Sequence, residues 1–178
     1  MNFDSMRVLI TGGGTGIGRA CAEALATQGA TVIICGRTLE TLEKTKEEIH
    51  SKHGVKIDYL ICDVTHEEAV KECFAKAAGA SEELAGVVAN AGGAIGLGKY
   101  QELSAEQYLD TLKLNILGTM HCVKHSIPYL ANNLLLWYAK LCKCLRFNII
   151  NSWRYLSCIV STFRFKFAIS ASFKSVWT

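Results

Sequence analysis

Aspartate and glutamate are absent from residues 134–178, glycine is absent after Gly118, and tryptophan is absent before Trp137. These absences divide the chain. Residues 1–133 hold 12 Lys+Arg and all 16 Asp+Glu, a balance of −4, whereas residues 134–178 hold seven Lys+Arg and no acid, a balance of +7, so the overall +3 is an average over two unlike statistics. The sequence also lacks a run of 18 uncharged apolar residues, which excludes reading the tail as a spanning helix. The start, MNFDSMRVLITGG, lacks the basic stretch, apolar core and small-residue cleavage site of a secretory leader, so a cytoplasmic chain is expected. The body shows no basic patch of the kind that engages nucleic acid.

What is present is a globular composition: 178 residues, half of them hydrophobic, enough for one domain with a buried core. Eight cysteines at irregular spacings, several inside apolar runs such as TVIICG and DYLICD, read as buried free thiols rather than a disulfide framework. Cys142 and Cys144, in CKC, form a weak soft-metal signal, and no metal is expected from it. His121 and His125 stand one helical turn apart and could share a ligand or simply pack on a helix face.

Up to about Asn132 apolar segments alternate with helical ones. MRVLIT (6–11) stops at glycines, GIGRACAEALATQGA carries helix formers closed by Gly29, and TVIICG is β-branched. LETLEKTKEEIHSKHG has charges at helical spacing closed by Gly54, its EKTKEE run reading as a solvated face supported by i,i+4 pairs. VKIDYLICD, HEEAVKECFAKAAGA and LAGVVANAG repeat the alternation. The pattern predicts an α/β fold: a Rossmann-like, doubly wound parallel sheet, incomplete, with four strands and their covering helices. SAEQYLDTLKLNILGTMHCVKHSIPYL then predicts one long helix to about Pro128, opened by an S-x-E-Q start. The expected organisation is a nucleotide-binding domain over 1–132 and a basic apolar tail over 133–178 that is not an independent domain.

Thr11-Gly12-Gly13-Gly14-Thr15-Gly16-Ile17-Gly18 lies between an apolar strand and a helix, the setting in which glycines bring backbone N–H groups and a helix N-terminus to a pyrophosphate. After the second strand comes Cys-Gly-Arg37, and Glu23, within the first helix, is the only acid between Gly18 and Glu40. An acidic side chain here would take the ribose hydroxyls of NAD, whereas a basic one accommodates the 2′-phosphate of NADP. Arg37 is therefore expected to contact that phosphate, with NADP(H) preferred over NAD(H). The alternative is an exposed arginine at a strand end.

These residues resemble the short-chain dehydrogenase/reductase family over residues 6 to about 131. TGGGTGIG matches the TGxxxGxG loop, Asn90-Ala91-Gly92-Gly93 the NAG motif, CDV the adenine-side aspartate, and LKLNILGT the helix asparagine. The resemblance implies that Gly12, Gly16 and Gly18, with Thr15 and Ile17, line the pyrophosphate; that Asp63 and Val64 hold the adenine; and that Asn90, Ala91 and Gly92 form the floor under the ribose and nicotinamide. Asn90 could equally be a structural tie between strands. Asn115 would hold the water that relays protons to the active site, or else lie on a polar helix face. The activity implied is hydride transfer between nicotinamide and a small carbonyl or alcohol substrate, in a chain that can form a homo-oligomer.

One part of the family pattern is missing. The family's acid–base group is a tyrosine with a lysine four residues later, assisted by an upstream serine, since a tyrosine of pKa ~10 needs a nearby cation to act at neutral pH. The residues four beyond Tyr59, Tyr100, Tyr108, Tyr129, Tyr138 and Tyr155 are Asp63, Ser104, Leu112, Asn133, Cys142 and Ile159. The loss coincides with the compositional seam, as expected of a chain continued into wrongly framed or alternative terminal sequence. A catalytically incomplete, dinucleotide-binding chain is the resulting expectation, with its fourth strand left as an open edge unless the tail covers it. A basic apolar tail acting at a membrane surface is the alternative from a different class.

Overall fold

The computed structural model describes residues 3–4, 6–81, 83–96, 100–130 and the backbone of 136–138. All of these lie in one compact unit, Met1–Cys144. The elements run β1 (Arg7–Thr11), α1 (Gly16–Ala26), β2 (Thr31–Gly36), α2 (Leu39–His53), β3 (Asp58–Ile61), α3 (Glu67–Ala78), β4 (Gly86–Ala89), α4 (Ala105–Leu112), α5 (Gly118–Ser126) and β5 (Leu136–Tyr138).

The strands form one parallel sheet in the order β3-β2-β1-β4-β5. The chain therefore builds outward from β1 in one direction and then crosses back to continue on the other side. This is the doubly wound arrangement, and its switch point falls between β1 and β4, where the strand ends leave a crevice for a ligand.

Burial follows the period-2 rule of strands. Leu9, Ile33, Cys35, Val87 and Ala89 join Val70, Cys73, Phe74 and Ala77 of α3 and Cys122 of α5 in one core cluster. The alternate residues Ile10, Ile34 and Val88 are buried too, so both faces are covered and these strands are apolar throughout.

The S-x-E-Q start is a complete capping box: the Ser104 hydroxyl accepts from the Gln107 N–H at 3.2 Å, and the Ser104 N–H donates to Gln107 Oε1 at 2.8 Å. The long helix expected after it is interrupted. Between α4 and α5 the residues Lys113–Leu117 form a π-helical turn, and Asn115 sits at its middle. A π turn widens the hydrogen-bond ladder by one residue and commonly marks a functional position. The charged run of α2 makes pairs that run between elements: Glu48 meets Arg19 of α1 at 2.5 Å and Lys46 stands 3.7 Å from Asp58 of β3.

The edge of β4 is not left open, because the tail covers it. Leu136–Tyr138, beyond the compositional seam, pairs with β4 in parallel register, Val87 opposite Leu136 and Ala89 opposite Tyr138. All four residues of β4 are buried, and the ladder groups of a buried strand need partners, which the first segment of the tail supplies. Three tail stretches of high β propensity, NIIN, SCIVSTF and FKFAIS, lie outside the described residues.

Candidate functional site

The crevice is assembled by Thr11, the last residue of β1, and Asn90, the first after β4. The Thr11 hydroxyl accepts the N–H of Asn90 at 3.1 Å and that of Ala91 at 3.0 Å. In return the Asn90 amide nitrogen donates to the carbonyl oxygens of Thr11 and Gly12, both at 3.1 Å. Asn90 is thus the structural tie that the sequence left open as one of two roles. Its Oδ1 is buried and has no hydrogen-bond partner.

The glycine loop is held from below. Gly12 and Gly13 donate their N–H groups to the Cys35 carbonyl of β2 at 2.8 and 3.2 Å, and the buried Thr45 hydroxyl of α2 donates to the Gly14 carbonyl at 2.7 Å. Gly12 has φ +64°, and a Cβ there would meet the Ala91 backbone at 2.9 Å. At Gly18 a Cβ would overlap the Gly12 carbonyl oxygen and stand 2.5 Å from the Asn90 amide nitrogen. Only glycine permits this approach of helix to strand end.

Above the loop the surface is open. Thr15 and Gly16 are exposed, nothing lies within 4 Å of a Cβ placed on Gly16, and Thr15, the N-cap of α1, makes no side-chain cap bond. The first hydrogen bond of the helix runs from the Arg19 N–H to the Thr15 carbonyl at 3.2 Å, so the N–H groups of Gly16, Ile17 and Gly18 have no intrahelical acceptor. Such donors at the positive end of an 11-residue helix suit a phosphate.

Asp63 and Val64 follow β3. Asp63 Oδ1 accepts from the Thr65 N–H at 2.9 Å and the Thr65 hydroxyl at 2.8 Å. Burial pushes the Asp63 carboxyl up, but the two Thr65 hydrogen bonds, with the charges of Arg37 and His66, outweigh it and hold the group below its usual range. Val64 is buried against Gly118 of α5, where a Cβ would come within 2.7 Å of its side chain. The Val64 carbonyl lies 2.9 Å from His121 Nδ1. Arg37, just past β2, is exposed.

On the other side of the crevice Asn115 fastens the loop after Ala91 and Gly92. Its Oδ1 accepts the Gly93 N–H at 3.0 Å, and its amide nitrogen donates to the carbonyls of Gly93 at 2.6 Å and Thr111 at 2.7 Å. The Thr111 hydroxyl accepts the Ile95 N–H at 3.1 Å. Asn115 is therefore engaged with the crevice loop and is not a residue of a bland polar face. Its own carbonyl accepts the Thr119 hydroxyl at 2.7 Å.

Sequence reasoning does not single out Thr11 or Thr111 as site residues. Thr11 lay inside the quoted glycine motif, and only the return of β4 beside β1 shows what its hydroxyl does. His121 and His125 pack on a helix face against the carboxylate of Glu67 at the start of α3, at 3.9 and 3.1 Å, with Lys124 at 2.6 Å. A cavity of about 450 Å³ lined by Glu43, Lys46, Glu47, His50, Lys56 and Tyr59 lies on the β3 side and shares no residue with this crevice.

The switch point at the strand ends, the glycine loop and the free helix N-terminus are those of the doubly wound α/β class. The chain belongs to the short chain dehydrogenase family, whose model matches residues 6–133. It is 35% identical over 120 residues to the 3-oxoacyl-acyl-carrier-protein reductase FabG of Aquifex aeolicus, covering 67% of this chain and 48% of that protein. Among solved structures it is similar to a short-chain type dehydrogenase/reductase from Mycobacterium ulcerans, with 33% identity and a TM-score of 0.65 over 71% of this chain and 46% of the other. It is also similar to a putative short chain dehydrogenase from Escherichia coli CFT073 complexed with NADPH, with 26% identity and a TM-score of 0.69 over 76% of this chain and 58% of the other. The chain spans about half the length of these relatives.

Proposed function

We propose that the crevice between Thr11 and Asn90 binds NADP(H), and that this chain is a dinucleotide-binding member of its family which does not itself turn over substrate. The observation that carries the reading is the open helix start over a fixed floor: the N–H groups of Gly16, Ile17 and Gly18 have no intrahelical acceptor, and the Asn90 amide ties the strand end beneath them to Thr11 and Gly12. Gly12, Thr15, Gly16, Ile17 and Gly18 would hold the pyrophosphate, Asp63 and Val64 the adenine, and Asn90, Ala91 and Gly92 the ribose and nicotinamide end. Arg37 favours the 2′-phosphate, and the NADPH complex of the Escherichia coli relative supports that preference.

Bound there, the nicotinamide would supply or accept the hydride exchanged with a carbonyl or alcohol carbon. The protein's share is the proton, and no tyrosine of the sequence has a lysine four residues later. Losing a positioned acid–base group removes about 10²- to 10⁴-fold in rate. The proposed partners are accordingly the dinucleotide and, through the exposed apolar residues of α4 and α5, a second copy of the chain. The five described cysteines are all free thiols, which supports a reducing compartment such as the cytosol.

Titration of the full chain with NADPH and with NADH, followed by cofactor fluorescence, tests the reading. Tighter binding of NADPH without oxidation across a panel of ketones and aldehydes is the expected result. Equal affinities would remove the cofactor preference, and oxidation above the uncatalysed rate would remove the inactive assignment.

A further inference from the structure

We propose that Cys35, Cys62 and Cys73 form a buried three-sulfur site for one soft, monovalent cation of the Cu(I) class. The three residues come from different elements, Cys35 from β2, Cys62 from the first position after β3, and Cys73 from α3. Their sulfurs all lie within 4.8 Å of one another. Bonds of the usual metal–thiolate length of ~2.3 Å in a trigonal plane would place the sulfurs ~4 Å apart, so closing the ring around an ion takes less than ~1 Å of movement per side chain.

The frame around the sulfurs is fixed. The Cys62 N–H donates to the Gly36 carbonyl at 2.8 Å, tying the end of β3 to β2, and Cys73 lies on the helix packed over both strands. Relative exposures of 0% for Cys35 and 3% each for Cys62 and Cys73 make this a dry site. Three soft ligands without a water position suit Cu(I), whereas Zn(II) seeks four ligands in a tetrahedron. Among the described residues only Cys35, Cys62 and Cys73 bring their sulfurs this close together, and Cys122 is not one of the group.

The test uses the full chain with Cys142→Ser, Cys144→Ser and Cys158→Ser, so that only Cys21 and the four core cysteines remain. Cu(I) is titrated anaerobically against a chromophoric Cu(I) chelator. One Cu(I) per chain is expected, with three sulfur neighbours by copper X-ray absorption and a higher melting temperature for the loaded form. Cys62→Ala and Cys73→Ala should each weaken competition by at least ~100-fold, beyond what loss of an outer-shell partner costs. Cys21→Ala should leave it unchanged. Two sulfur neighbours, Zn(II) displacing Cu(I), or an equal loss in Cys21→Ala would overturn the proposal. Should either alanine variant fail to melt cooperatively, the sulfur count on the reference chain decides alone.

Discussion

The Asn90 side-chain amide donates to the Thr11 and Gly12 carbonyls at 3.1 Å each, while the Thr11 hydroxyl takes the Asn90 N–H in return, so one residue pair locks β1, β4 and the glycine loop together. Thr11→Val keeps the shape and removes the hydroxyl that accepts from both Asn90 and Ala91. Buried donors left without acceptors cost about 1–3 kcal/mol each. Urea unfolding should therefore show a loss of at least ~1 kcal/mol, and cofactor affinity should fall with it. A change smaller than about 0.5 kcal/mol would mean the crevice does not depend on this lock.

Gly18→Ala tests the close approach of helix and strand end. The added carbon falls on the Gly12 carbonyl oxygen, a backbone atom that cannot rotate away. Overpacking of this kind costs about 1–3 kcal/mol, and the shifted helix should lose its alignment with a phosphate. Circular dichroism melts and dinucleotide titration report the two effects separately.

Arg37→Asp should reverse the cofactor preference. A hydrogen bond to a charged group contributes about 1.5–3 kcal/mol, so NADPH should bind roughly 10- to 100-fold more weakly, while NADH should hold or gain. Isothermal titration with both cofactors reads this out. An unchanged ratio would return Arg37 to the status of an exposed strand-end residue.

Glu67 gives the chain an acid-sensitive joint between α3 and α5. Its carboxyl is lowered to about 2 by hydrogen bonds from Lys124 and then His125, against an opposing effect of burial. A depressed folded-state pKa means stability that is complete above the unfolded value of about 4.5 and lost as pH falls through about 2. Glu67→Gln should therefore be less stable than the parent at neutral pH, and the two melting curves should converge near pH 2. Parallel curves with a constant offset would show that the charge plays no part.

Leu109, Leu112, Ile116 and Met120 lie three and four residues apart along α4, the π turn and α5, and all are exposed. An apolar row of this kind on an otherwise polar helix suits association with a second copy. Leu112→Glu with Ile116→Glu should convert a dimer to a monomer in sedimentation velocity. A parent chain that sediments as a monomer would refute the assignment.

The parts legible in the sequence were those written locally. Glycines between an apolar strand and a helix marked the loop, period-2 and helical spacing marked β1 to β4 with their helices, and Ser104 with Gln107 marked a helix start that the structure keeps in full. Features made by tertiary return were not legible. The π turn at Asn115 leaves the apolar spacing almost unchanged, so LKLNILGT reads as plain helix. Cys35, Cys62 and Cys73 look unrelated until β2, β3 and α3 stack, and the pairing of Leu136–Tyr138 with β4 comes from a segment whose composition differs from the rest.

The crossing from β3 back to β4 also sets the order in which the molecule can be built. β1, β2 and β3 follow one another closely in the chain, whereas the Thr11–Asn90 bonds join residues 79 apart. Joining residues so far apart costs more loop-closure entropy than the neighbouring β1–β2 and β2–β3 pairings, so the docking of β4 is expected to follow them. If the proposed dinucleotide binds across that junction, cofactor present during refolding should act on the docking of β4 rather than on the earlier collapse.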